Sequence, residues 1–111
     1  MLAIKEVFHA DYVTLQLSGE IDASNSVLLD EAIKQALNGN HERILIDATA
    51  LTYISSAGLG VFMSYLEVFE EKNIHFALYG LTPTVFQVFQ ILGLDQLLTI
   101  TGSAEEALQT S

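Results

Sequence analysis

The segment of this 111-residue chain best suited to chemistry is Ser55-Ser56-Ala57-Gly58-Leu59-Gly60, two hydroxyls followed by small residues. It stands where a loop is expected to become a helix. A helix start carries backbone N–H groups without partners and a partial positive charge. A serine placed there has two uses. It can cap the helix, which is what serine most often does at such positions. With Ala57, Gly58 and Gly60 keeping bulk away, it can also offer its hydroxyl to the active site of another protein. The glycines have two readings as well, accessibility or close packing of the helix on a sheet.

The same residues fit poorly with catalysis by the chain itself. Ser56 is not in a G-x-S-x-G nucleophile elbow, since the residue two places before it is Ile54. A serine nucleophile needs a base, and His9, His41 and His75 fall at an edge turn, after the first helix and inside a strand. No lysine follows the glycines in the manner of a phosphate-binding loop. No histidine pair or carboxylate cluster has metal-ligand spacing, so neither a metal nor a cofactor is expected. Asp22 and Asp47 both come just after expected strands and would suit acid–base work if they met on one rim. The plainer reading has one capping a helix and the other ending a strand. The residues point to a protein that is not an enzyme.

The elements that must position these groups alternate. Residues 12–18 place Val13, Leu15 and Leu17 on one face and Tyr12, Thr14, Gln16 and Ser18 on the other, a half-buried strand paired with residues 2–8. A helix follows with Val27, Leu28, Leu29, Ala32, Ile33, Ala36 and Leu37 on its apolar face, ended by Asn38-Gly39-Asn40 with Gly39 as the left-handed cap. Residues 43–47 read as a buried strand, 48–56 as a loop, and 57–71 as a second helix with Leu59, Phe62, Met63, Leu66 and Phe69 inward. Asn73 is expected to stop that helix. Residues 74–79 form a strand, and Thr82-Pro83 opens a third helix carrying Val85, Phe86, Phe89 and Leu92. A short strand over 97–100 and a capping box from Ser103 to Glu106 complete the chain. This order predicts one small α/β domain over residues 1–111, with a mixed, mostly parallel sheet of four or five strands and about four helices. Sites in such folds lie at the carboxyl ends of strands, here the segments 19–25 and 49–60.

Composition narrows the partners. Half of the residues are apolar and none is cysteine, which excludes thiol chemistry and disulfides and fits a reducing compartment. Fourteen acidic residues face four basic ones, giving a formal charge of −10. Such a chain has no basic patch with which to bind nucleic acid or an anionic membrane. Acidity steers basic protein partners, and it also serves plain solubility. With no long apolar run and no leader-like start, the expected location is cytoplasmic.

Residues 51–60, with Gly19-Glu20-Ile21-Asp22 and the strand before the loop, resemble the STAS domain, and more narrowly the bacterial anti-sigma factor antagonists. The family signature runs D-S-[SA]-G-L-G, and its serine falls on Ser56. The aspartate that usually precedes it is replaced here by Ser55, which puts a second hydroxyl beside the first. The resemblance implies a partner switch. The unphosphorylated chain binds an anti-sigma factor that is also a serine kinase, phosphorylation of Ser56 (or secondarily Ser55) releases it, and a PP2C-type phosphatase resets the system. The partner surface would comprise Asp22, Ser55, Ser56, Ala57, Gly58 and Leu59, with Val61 and Tyr65 partly toward solvent. The competing expectations are a STAS module that is a constitutive subunit of a sensory or transport assembly, a nucleotide-binding module using helix N-termini, and a serine hydrolase.

Overall fold

The computed structural model describes residues 1–109. Five strands lie in sequence order across one sheet: β1 (Leu2–Phe8), β2 (Tyr12–Ile21), β3 (Arg43–Ile54), β4 (His75–Tyr79) and β5 (Thr99–Thr101). The β1–β2 pair is antiparallel and the other neighbours are parallel. Helices α1 (Ser26–Asn38), α2 (Ser56–Glu71), α3 (Pro83–Ile91) and α4 (Ala104–Gln109) fill the connections, with a 3₁₀ turn at Leu94–Gln96. The expected α/β architecture is the one found.

Two layers of different weight cover the sheet. Val13, Leu15, Leu17, Ile44, Ile46 and Leu78 pack with Leu29 and Ile33 of α1, Leu59 and Phe62 of α2, and Val85 and Phe89 of α3. The opposite face turns Leu45 and Ala77 toward Ala107 of α4. Thr14, expected on an open face, is therefore buried. On the main face the inward side chains are nearly all fully buried, and each large one contributes roughly 1.5–3 kcal/mol relative to exposure.

Several boundaries differ from expectation, each for a local reason. Of the segment expected as a loop over 48–56, residues 48–54 are the second half of β3, paired with β2 as far as Ile21 against Ile54. Its buried residues, Ala48, Leu51 and Ile54, recur every third position, because the β2–β3 register shifts twice near Gly19. Strict alternation is lost there, and with it the strand signal. Gly39 does not take the left-handed conformation (φ −83°); Asn40 does (φ 64°). Asn73 does stop α2 (φ 56°), with Ile74 N–H returning to the Phe69 carbonyl. Met63 and Leu92, expected inward, are about half exposed. The last strand starts at Thr99, since Leu94–Gln96 coil into the 3₁₀ turn.

Candidate functional site

The rim that carries the two serines is built by the ends of β2 and β3. Ile21 and Ile54 pair at the last rung, and the Ser55 N–H donates to the Ile21 carbonyl at 2.9 Å. This bond sets the start of α2 beside the turn that begins at Asp22. Ser55 is the N-cap: its backbone is extended and its hydroxyl accepts the Gly58 N–H at 3.4 Å. Ser56 is the first helical residue. It is exposed, and its hydroxyl makes no hydrogen bond among the described residues. Of the two roles open to serine at this start, Ser55 takes the cap and Ser56 is left over.

The small residues divide in the same way. A Cβ on Gly58 would stand 2.6 Å from Ile21 Cγ2 and 2.8 Å from Ile54 Cγ1, so glycine is needed for the helix to sit on the sheet. Nothing lies within 4 Å of a Cβ built on Gly60. That glycine faces solvent, four residues along the helix from Ser56 and on the same side. Packing does not explain it, although a mid-helix glycine costs about 1 kcal/mol relative to alanine. Leu59 is buried in the core and Gly58 beneath the helix, so both support the rim from below. Ala57 is half-buried.

Asp22 is held in a compact turn. Its carboxylate accepts the backbone N–H of Ser24 at 2.9 Å and also the Ser24 hydroxyl. These bonds, the hydroxyl's first, keep its pKa below the ordinary aspartate value, so it carries full charge near neutrality. Asp22 does not cap α1. Asn25 stands at the N-cap position, but its side chain instead accepts the Asp22 N–H at 2.9 Å and donates to the Glu20 carbonyl at 3.0 Å. No motif marks Ser24 or Asn25. The run Asp-Ala-Ser-Asn before a helix is nevertheless the composition of a side-chain-tied turn.

Asp47 does not meet Asp22. It lies mid-strand opposite Gln16 and is occupied by the Thr49 N–H and hydroxyl at 3.0 and 2.7 Å. The histidines are at the other end of the sheet, where the parallel strands begin. His9 stacks on Tyr12, His41 lies against Phe8, and His75 pairs by Nε2 with the Ala107 carbonyl at 2.8 Å. No group of three potential metal ligands occurs among the described residues. Further along α2, Val61 and Tyr65 are partly buried. The Tyr65 hydroxyl donates to the Asp30 carboxylate at 2.7 Å, fastening α2 to α1. Burial, then Asp30, pushes its pKa up to about 12.

The family model described as "Mlab, STAS domain" matches residues 4–99. The anti-sigma-B factor antagonist of Listeria monocytogenes is 30% identical over 90 residues, covering 81% of this chain and 79% of that protein. An anti-sigma factor antagonist from Mycobacterium paratuberculosis superposes with a TM-score of 0.89 at 21% identity, covering 98% of this chain and 92% of the other. SpoIIAA, an anti-sigma factor antagonist, superposes in its unphosphorylated form with a TM-score of 0.80 at 24% identity, covering 96% and 94% of the two chains. The phosphorylated form of SpoIIAA, a Bacillus cell fate determinant, gives 0.71 at 24% identity, covering 96% and 97%. No helix among the described residues is long and apolar enough to cross a membrane. The chain belongs to the STAS-domain family and stands among its anti-sigma factor antagonists.

Proposed function

We propose that this chain is a cytoplasmic anti-sigma factor antagonist whose hold on an anti-sigma factor is broken by a phosphate on Ser56. One observation carries the reading: Ser56 is an exposed, unbonded hydroxyl at the first position of α2, beside a neighbour that already caps the helix. Occurrence of SpoIIAA in phosphorylated and unphosphorylated forms supports it. The kinase would be the anti-sigma factor, using ATP, and a PP2C-type phosphatase would remove the phosphate. Their active sites supply the chemistry; this chain supplies an accessible oxygen and a surface.

Charge explains why a phosphate there would act as a switch. It adds about −1.5 to −2 charges and three acceptor oxygens at pH 7. At the start of α2 those charges meet the free N–H groups of the helix, so the fold should persist. The partner meets something different: a dianion on the same rim as ionised Asp22, on a chain already at −10. Like-charge repulsion and desolvation together need to supply only about 3 kcal/mol to weaken binding over a hundredfold. The cleared surface at Gly60 fits the close approach that a kinase active site requires. Ser55 is the lesser candidate, since modifying its hydroxyl would remove the cap.

The test compares the affinity of the anti-sigma factor for the unmodified and the fully Ser56-phosphorylated chain, with circular dichroism of both. A loss of at least about a hundredfold with an unchanged spectrum is expected. Equal affinities would sink the switch, and extensive unfolding would sink its surface-charge mechanism.

A further inference from the structure

Strand β1 is the outer strand of the sheet, and among the described residues no strand lies along its other edge. Alternate residues of such a strand turn their N–H and C=O groups outward, a template for one more strand. Beside this edge an open cleft of about 330 Å³ runs between β1 and α1. Leu2, Ile4 and Glu6 form one wall, and Leu28, Glu31 and Ala32 the other. Leu28 is 46% exposed at its lip. Glu6 and Glu31 make no ion pair; the salt bridge found among the described residues joins the Met1 amino group to Glu20.

We propose that this edge and cleft are a docking site for an extended segment of a partner protein, which adds to β1 and turns two apolar side chains and one Lys or Arg toward α1. Main-chain bonds to the edge would hold the segment, and the period of two would point every second side chain at the cleft. Leu2, Ile4, Leu28 and Ala32 are the matching apolar contacts. The unpaired carboxylates of Glu6 and Glu31, on a chain of charge −10, select a basic residue. A second copy of this chain fits badly. Two-fold antiparallel pairing of β1 with itself must centre on a residue. Centring on Lys5 or Glu6 sets like charges opposite each other, centring on Ile4 sets Glu6 over the other copy's apolar Leu2, and centring on Ala3 or Val7 leaves only three residues of each strand paired. The surface does not include Ser56, so it stands whether or not that serine is modified.

The test titrates the ¹⁵N-labelled full chain at low salt with the peptide Thr-Lys-Thr-Val-Thr-Leu-Thr, whose antiparallel pairing sets lysine against Glu6. Expected are saturable shifts confined to Leu2–Phe8 and the first half of α1, with slowed exchange of the outward β1 amides. Binding should weaken about tenfold in the double variant Glu6→Gln, Glu31→Gln, and likewise when glutamate replaces the peptide's lysine. Both glutamines keep the size of the residues they replace, and the ¹⁵N spectrum itself reports whether the variant is folded. No saturable shifts, shifts elsewhere on the protein, or undiminished binding to the double variant would overturn the proposal. So would sedimentation showing that the chain alone self-associates with β1 protected.

Discussion

Helices α2 and α3 begin alike and then diverge. Each has an extended N-cap with a hydroxyl that accepts the N–H three residues on, Ser55 from Gly58 at 3.4 Å and Thr82 from Val85 at 3.3 Å. After the cap they part. The first residue of α3 is Pro83, which completes a helix start and offers nothing to bind. The first residue of α2 is Ser56, with a second hydroxyl that is exposed and makes no hydrogen bond among the described residues. The third and fifth residues are Val85 and Gln87 in α3 but Gly58 and Gly60 in α2. The contrast separates what a helix start needs from what has been added to it. A cap and a packed third residue suffice for α3. Ser56 and Gly60 are the additions, and neither is accounted for by the fold.

This contrast can be broken at several points, in falling order of expected effect. Phosphate on Ser56 should weaken anti-sigma factor binding by at least about a hundredfold, while Thr84, the hydroxyl at the second position of α3, should acquire none from the same kinase. Gly58→Ala should destabilise the fold by about 1–3 kcal/mol through the clash with Ile21 and Ile54, read as a lowered denaturation midpoint. Ser55→Ala and Thr82→Ala should each cost about 1 kcal/mol, equal within error, because both remove one cap bond. A clearly larger loss for Ser55→Ala would mean that the rim depends on it for more than capping. Gly60→Ala should act the other way, raising stability by about 0.5–1 kcal/mol while slowing phosphorylation, since a methyl group would enter the cleared surface beside Ser56. If that variant gained stability and kept its phosphorylation rate, Gly60 would have no part in partner access.

Much of this was legible in the residues, and what was not has physical causes. Caps at Thr82-Pro83 and Ser103–Glu106 involve neighbours in sequence, and both stand where they were expected. The second half of β3 was not legible, because the register shifts beside Gly19 turn the two-residue alternation into a three-residue one. Met63 sits at helical spacing from Leu59 and Leu66 yet projects to solvent, since only long-range packing decides where the apolar stripe ends. At the site, serines at a helix start were visible, but not which one caps. That depends on the Ile21–Ser55 backbone bond, which joins two strands distant in sequence. The Asp22–Ser24–Asn25 turn was local and readable in composition; its orientation beside α2 was not.

The proposed switch rests on a division of labour between two adjacent hydroxyls, with Ser55 holding the helix and Ser56 unbonded among the described residues. Its most direct test incubates the chain with the cognate anti-sigma factor kinase and ATP and maps the phosphate by tandem mass spectrometry. The expected result is phosphate on Ser56 in the natural chain and in Ser55→Ala, and none in Ser56→Ala. Phosphate on Ser55, or undiminished incorporation in Ser56→Ala, would contradict it.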